Sequence, residues 1–318
     1  MLTRPGPFSF LKGRRTSATA RAGLQVVPAE ARHLRRARQI VAAAPVVNVH
    51  VGAALPTTQG DREPGAAFWA LLDGPRTIGV VQQQRGICWA LEPSERDDPR
   101  IVPALSEFLA QQVRFGEIIF GPESEVRAVV EGCRLRGIDL VELRRQEMMS
   151  CPVPLPAGLP APGSGFALRP AMRRDLKWLL VAHGAMCRED LGVDQVARNP
   201  EGYSRYFQDL IRRRRLFVGE VGGRPVFKAE VALESRECWL IEGVFTEPAS
   251  RGRGYASLAT LWISELALSR GHEACLYVHR RNEVAIRVYR RIGYRTVCPW
   301  AAAILTRDGR RAVRSVEY

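Results

Sequence analysis

The sequence predicts an α/β (α+β) chain in two domains. Three observations carry this reading. Strand-like and helix-like apolar patterns alternate along most of the 318 residues. One Pro/Gly-rich stretch without apolar periodicity interrupts them near the middle. A hydrophobic content of 46% is enough for two cores of ordinary size.

The chain opens on a basic segment, Met1 to Arg38, whose only acid is Glu30. Residues 1–22 read as a flexible basic leader, with a transit peptide as the other reading. Residues 23–150 form a first domain with strands expected at Phe68 to Leu72, Thr77 to Gln82, Gly86 to Leu91 and Glu117 to Phe120. Helical patterns run from Pro103 to Arg114 and from Ser124 to Arg136. The stretch "CPVPLPAGLPAPGSG", residues 151–165, holds five prolines and three glycines and reads as a linker.

The second domain spans 166–318. A short strand leads to a helix from near Arg173, and a second helix runs from Tyr203 to Arg213. Strands follow at Leu216 to Val221 and Pro225 to Leu233. In the latter, Phe227, Ala229, Val231 and Leu233 share one face, and Val226, Lys228, Glu230 and Ala232 the other. A long strand, Cys238 to Thr246, runs into the segment "EPASRGRGYA". From Tyr255 onward, Leu258, Leu261, Trp262 and Leu266 recur at helical spacing, up to Gly271.

Composition narrows the function classes. No window has the roughly 18 apolar residues of a membrane span. The seven scattered cysteines include no C-x-x-C pair, which favours reduced thiols and a cytoplasmic location. The histidines show no metal-ligand spacing, so no metal is expected. A formal charge of +14, almost all of it Arg, suits nucleic acid, a membrane surface or an acidic cofactor. The run Arg212 to Arg215 reads as the last turn of a helix rather than a nucleic-acid grip.

The chemical signal is the junction at Arg251, Gly252, Arg253 and Gly254. A strand, a Gly-rich turn and a helix start form an anion site, because unpaired backbone N–H groups converge there and the helix dipole adds positive charge. The turn lacks the Gly-Lys-Ser/Thr of a Walker loop. Ser257 stands where a dinucleotide fingerprint requires its third glycine. Downstream, "ACLYVHRRNEVAIRVYRRIGYRTV" reads as a strand (Ala274 to His279), a turn with Asn282 as helix cap, a short helix bearing Ala285, Val288, Tyr289 and Ile292 on one face, and a new strand from Tyr294.

The pattern Arg-x-x-Gly-x-Ala at Arg251, Gly254 and Ala256, followed by L-Y-V-x-x-x-N-x-x-A-x-x-x-Y-x-x-x-G-Y from Leu276 to Tyr294, resembles the GCN5-related N-acetyltransferase (GNAT) family. The resemblance covers about Phe166 to Leu305. It implies a mixed central sheet flanked by helices, with a splayed-strand cofactor cleft. It also implies that Arg251 to Ala256, including Tyr255, hold the pyrophosphate of acetyl-coenzyme A, and that the backbone of Val244, Phe245 and Thr246 pairs with the pantetheine arm. Asn282 and Ala285 would meet the cofactor, and Tyr289 would lie near the thiol sulfur as the acid for the leaving thiolate, a core tyrosine being the other reading. Glu242 and Glu230 are the candidates for the base that deprotonates an amine, with an ion pair to Lys228 as the alternative fate of either. His279 is a weaker candidate.

The first half, with "AAAPVVNVHVGAAL" and "EIIFGPESEV", resembles the degenerate N-terminal unit of tandem acetyltransferases of an uncharacterised bacterial group, with mycothiol synthase a distant two-unit likeness. Its glycines Gly116 and Gly121 flank a strand, and Glu123 and Glu125 follow where a phosphate would require amides. One acetyl-coenzyme A per chain is therefore expected, with an amine as acceptor. A non-catalytic acyl-coenzyme A sensor or nucleic-acid binder on the same fold is the alternative class.

Overall fold

The computed structural model describes residues 23–56, 65–114, 116–151 and 165–307. The basic leader and nearly all of the Pro/Gly-rich segment lie outside the described residues. The first half contains β1 (Gln25–Pro28), α1 (Ala31–Ala43), α2 (Val49–Ala54), β2 (Ala67–Asp73), β3 (Arg76–Gln83), β4 (Ile87–Leu91), α3 (Ile101–Gln112), β5 (Glu117–Pro122), α4 (Glu123–Arg134) and β6 (Asp139–Cys151). The second contains β7 (Phe166–Pro170), α5 (Leu176–Leu191), α6 (Gln195–Arg198), α7 (Pro200–Arg212), β8 (Leu216–Val221), β9 (Arg224–Glu234), β10 (Cys238–Thr246), α8 (Tyr255–Ser269), β11 (Glu273–His279), α9 (Glu283–Arg291) and β12 (Arg295–Thr306).

Local chemistry sets several boundaries. Asn199 caps α7 by accepting from the Gly202 amide at 2.9 Å, with Pro200 in the first turn. Glu123 and Glu125 open α4 and Arg134 closes it, each opposing the helix dipole.

All twelve described strands form one sheet in the order β1-β2-β3-β4-β5-β12-β6-β11-β10-β9-β8-β7. The order is mirrored about the β12/β6 pair. Each half lays down five strands in sequence, and its last strand is inserted between the fifth and last strands of the other half. Only β4 with β5 and β10 with β11 are parallel neighbours. The central β12/β6 pair is antiparallel, from Arg295 opposite Ser150 to Thr306 opposite Asp139. Neither half completes its sheet alone.

Helices cover both faces. On one, Phe227, Ala229, Val231, Trp239, Ile241 and Leu276 pack against Leu258 and Ile263 of α8 and Ile286 of α9. On the other, Leu179 of α5 and Phe207 of α7 pack on Val218 of β8. Beside them Val49 of α2 meets Leu240, Cys275 and Trp300. The first half thus reaches over the second half's sheet. The β9 alternation holds from Phe227 to Val231, but a register slip between Leu240 and Ile241 turns Leu233 from the expected face to the α2 side. Both faces are buried, and Lys228 and Glu230 lie beneath α7 instead of facing water. Among the described residues no helix is long and apolar enough to cross a membrane.

Candidate active site

The segment after β10 forms a 3-10 turn at Pro248–Ser250 and then Arg251 to Gly254, which lead into α8. Gly252 and Gly254 have φ of +77° and +81°. No atom lies within 4 Å of a Cβ built on either, so the requirement for glycine is conformational, not steric. Gly254 is the N-cap, and no side chain caps the helix. The first intrahelical bond is Leu258 N to Gly254 O, which leaves the earlier amides of α8 directed at the turn. The Tyr255 ring turns inward and stacks on Phe166 at 4.7 Å, so this residue offers the turn its backbone. Arg251 is tied back: its guanidinium meets Glu189 of α5 at 2.7 and 2.9 Å and the Thr246 carbonyl oxygen at 3.0 Å. Arg253 is exposed.

Upstream of this turn the sheet opens. β10 pairs with β11 only from Cys238 opposite Glu273 to Leu240 opposite Cys275. Beyond that point β11 continues against β6 and β10 continues against β9, so the two diverge in a V. The β10/β9 register slips between Glu242 and Phe245, which makes a bulge at Gly243 and Val244. Gly243 has φ of +60°, and a Cβ there would meet Glu230 Cδ and Lys228 Nζ, both at 2.7 Å. Lys228 Nζ donates to the Gly243 carbonyl oxygen at 2.9 Å and to Glu230 at 3.1 Å. Val244, Phe245 and Thr246 therefore present one backbone edge to β9 and the other to the V.

Four polar side chains surround the base of the V on the α7 side. Tyr277 of β11 donates to the Glu242 carboxylate. Burial pushes Glu242 up to about 7, with the nearby Glu230 charge acting the same way and the Tyr277 hydrogen bond opposing it. Glu230 differs: burial raises it, but the charges of Lys228 and His183 and hydrogen bonds from Lys228 and Tyr206 outweigh burial and hold it below the ordinary glutamate range. Tyr206 of α7 reaches Glu230 at 3.3 Å. The two candidate bases thus separate by environment. Glu230 is one partner of a buried ion pair, as the alternative reading allowed, and Glu242 is a carboxylate that titrates near neutrality.

Tyr289 lies on the opposite, α8 side, buried against Tyr294 at a ring distance of 5.9 Å. Burial and the Asp190 carboxylate push its phenol above the ordinary range, so it remains a proton donor. Asn282 caps α9, its Oδ1 accepting from the Ala285 amide at 3.0 Å. His279 ends β11, exposed, and its Nδ1 accepts from the Arg281 amide at 3.1 Å.

Residues 185–294 match the sequence profile of the acetyltransferase (GNAT) family, and this range contains the V, the glycine turn and α9. This stretch of the chain is a GNAT-family domain. Solved structures similar to it include a Drosophila protein (TM-score 0.65, 16% identity, covering 90% of this chain and 100% of that one). A GCN5-related N-acetyltransferase from Sphaerobacter thermophilus has TM-score 0.53 and 17% identity, covering 88% and 95%. A GNAT-family acetyltransferase from Colwellia psychrerythraea has TM-score 0.51 and 14% identity, covering 88% and 99%. At these identities the likeness is one of fold. No curated protein matches the chain.

The mirrored strand order makes this a tandem GNAT arrangement, and the first GNAT-like unit can be read against the second. β4 and β5 pair in parallel over only two positions, Ile87 with Ile119 and Cys88 with Phe120, and then part. The turn that corresponds to the glycine turn follows β4, whereas Gly116 and Gly121 lie just before β5 and within it. Glu92-Pro93-Ser94-Glu95-Arg96 runs parallel to Glu247-Pro248-Ala249-Ser250-Arg251, both through a 3-10 turn. Where the second unit then has Gly252 and Gly254, the first has Asp97 and Pro99. Asp98 binds the Arg100 amide at 2.8 Å and is held below the ordinary carboxylate range by hydrogen bonds from Arg100. Arg96 and Trp89 both bind Glu125, Trp89 at 2.7 Å.

The sequence reading missed Tyr277, Tyr206, Glu189 and Arg85, the last with its guanidinium over the Tyr206 ring. Tyr277 lay inside the quoted L-Y-V motif. The other three carry no local signal, because their neighbours in space come from elements far apart in the chain.

Proposed function

We propose that the second unit transfers an acetyl group from acetyl-coenzyme A to a primary amine of a small molecule or protein, by direct attack in a ternary complex. The observation that carries this reading is the opening of β10 from β11 immediately before a helix led by Gly254 in the left-handed conformation. A pyrophosphate would take the amides at the start of α8, and the pantetheine arm would take the free edge of Val244 to Thr246. Arg253, Ala256, Asn282 and Ala285 line the same side of this path in the proposal.

Glu242 takes the proton of the acceptor ammonium, for which a carboxylate titrating near 7 is suited. The nitrogen then attacks the thioester carbonyl, the C–N bond forms, and the tetrahedral oxyanion collapses with cleavage of the C–S bond. Tyr289 protonates the departing thiolate, and the second proton lost by the nitrogen restores the Tyr289 phenol. The Lys228 ammonium polarises the peptide whose oxygen belongs to Gly243 and whose N–H belongs to Val244. That N–H is thereby a stronger donor for the oxyanion. The first unit, with Asp97, Asp98 and Pro99 at its turn, binds no cofactor and forms a wall of the acceptor site.

The test is release of free coenzyme A from acetyl-coenzyme A across a panel of amines. Amine-dependent release that is lost in Glu242→Gln supports the reading. Tight cofactor binding with no release for any amine would replace it with a sensor.

A further inference from the structure

A small cleft of about 70 Å³ lies where the turn between β3 and β4 of the first unit meets α7 and β9 of the second. Arg85, Tyr206, Asp209, Arg213, Arg215 and Glu234 line it. The three cations are not equivalent. Arg213 is paired with Asp209 at 2.9 Å, and Arg215 donates to the Val231 and Ala232 carbonyl oxygens at 2.9 and 2.8 Å and lies 3.9 Å from Glu234. Arg85 has no carboxylate ion-pair partner among the described residues. Its guanidinium stands over the Tyr206 ring, 5.0 Å from the centroid, and is exposed. With three arginines against two acids, the cleft carries one positive charge in excess.

This charge is aimed at the reacting end of the molecule. Tyr206 has Arg85 on its face and Glu230 at its hydroxyl, and Glu230 is the register partner of Glu242. Arg85 is close enough to act on the ionisation of Glu242, Tyr206 and His50 alike. His50 of α2 adds a second group from the first unit. Its ring stacks within 5.0 Å of Phe120 and 6.2 Å of Tyr277, its Nε2 is buried with no hydrogen-bond partner, and burial with the Arg85 charge lowers its pKa to about 4, so it stays neutral. Glu242 does not line the cleft itself, but Glu242, Tyr277, Tyr206 and His50 are all only half-buried, and Tyr206 is the side chain common to the cleft and to the Glu230–Glu242 pair. An acceptor with its ammonium at Glu242 would therefore have the Arg85 guanidinium beyond the Tyr206 ring.

We propose that Arg85, supplied by the first unit, binds the carboxylate of the acceptor, which makes the acceptor an amino-acid-like amine with a carboxylate near its nitrogen. The cleft has room for a carboxylate and little more, and a planar guanidinium above an aromatic ring is well suited to bind one through two N–H donors. The proposal rests on the acetyl-transfer reading for the role of Glu242, but binding of the carboxylate can be measured without turnover.

The probes are the N-acetyl derivatives of the standard amino acids and their primary amides, titrated calorimetrically into the full chain. Removing a charge-assisted hydrogen bond costs about tenfold to a hundredfold in affinity. At least one carboxylate is expected to bind ten times or more tighter than its amide. Arg85→Gln should erase that preference, and Arg85→Lys should restore part of it. Arg85 is exposed, so neither variant threatens the fold. Equal binding of every acid and amide pair, no binding of any acid, or a preference that survives in Arg85→Gln would overturn the proposal. An Arg85-dependent preference with no coenzyme A release from any amine, free amino acids included, would leave the carboxylate site standing and remove the acetyl-transfer reading, whereas release with other amines and with no free amino acid would overturn the carboxylate's assignment to the acceptor.

Discussion

Tyr277 of β11 donates its hydroxyl hydrogen to the Glu242 carboxylate of β10, across the gap where these neighbouring strands have stopped pairing. The side-chain bond replaces the missing ladder at the base of the V. It links the two lips of the cleft while their backbone edges stay open, and it brings the carboxylate that titrates near neutrality to the place where the cleft begins.

Glu242→Gln is expected to lower turnover by about a hundredfold to ten-thousandfold, the usual contribution of a positioned base. Wild-type turnover should rise with pH through about 7, the value burial imposes on Glu242, and the variant should lose that limb. Stability moves in the opposite direction. The folded carboxylate holds its proton up to about 7 and the unfolded one releases it near 4.5, so the folded state binds more protons between these values and loses stability as pH rises through them. The variant has nothing to titrate there. Denaturation midpoints at pH 5 and pH 8 should therefore differ less in Glu242→Gln than in the wild type.

Gly254→Glu should abolish acetyl-coenzyme A binding and leave the fold intact. At φ of +81° a side chain costs about 1 kcal/mol or more of backbone energy, a tolerable loss for a chain of this size. The carboxylate would oppose a phosphate at the start of α8. Calorimetry reads the affinity and circular dichroism the fold; unchanged affinity would remove the glycine turn from the site.

Tyr289→Phe is expected to keep cofactor affinity and slow turnover by a hundredfold or more, because the phenol, which remains protonated, gives the leaving thiolate its proton in the proposed mechanism and a phenyl ring has none to give. Steady-state and burst kinetics separate this loss from slow product release. A variant with wild-type chemistry would reduce Tyr289 to a packing partner of Tyr294.

Lys228→Met should destabilise the chain by about 3 to 5 kcal/mol, since it strands the Glu230 charge in a buried site. Adding Glu230→Leu should recover most of that loss, because a buried ion pair replaced by apolar groups is often neutral. Urea denaturation of the two variants decides this, and a single variant as stable as wild type would show that the pair is not isolated from water.

One acetyl-coenzyme A should bind per chain. Asp97 and Asp98 stand at the first unit's turn, and Pro99 brings no N–H to it. The Arg96 to Glu125 pair and Trp89 occupy the space beside it. A calorimetric stoichiometry near two for the full chain would refute this.

The elements with a local cause were legible in the sequence. β8 and β10 lie where their apolar runs placed them, α8 starts at Tyr255 after the glycines, and Asn282 caps α9, because periodicity, left-handed glycines and side-chain caps act over a few residues. The family motifs were legible for the same reason. What depends on distant partners was decided by the tertiary structure. β6 has Glu142, Arg144, Arg145, Gln146 and Glu147 in its middle and no period-two apolar pattern, yet it pairs along its length with β12 and β11. Its strand conformation comes from two neighbours more than a hundred residues away, and its own side chains do not encode it. The same holds for the chemistry. Glu230 and Glu242 are both glutamates on adjacent strands, and only packing, which places Lys228 against one and the Tyr277 hydroxyl against the other, makes the first a salt-bridge partner and leaves the second titrating near neutrality.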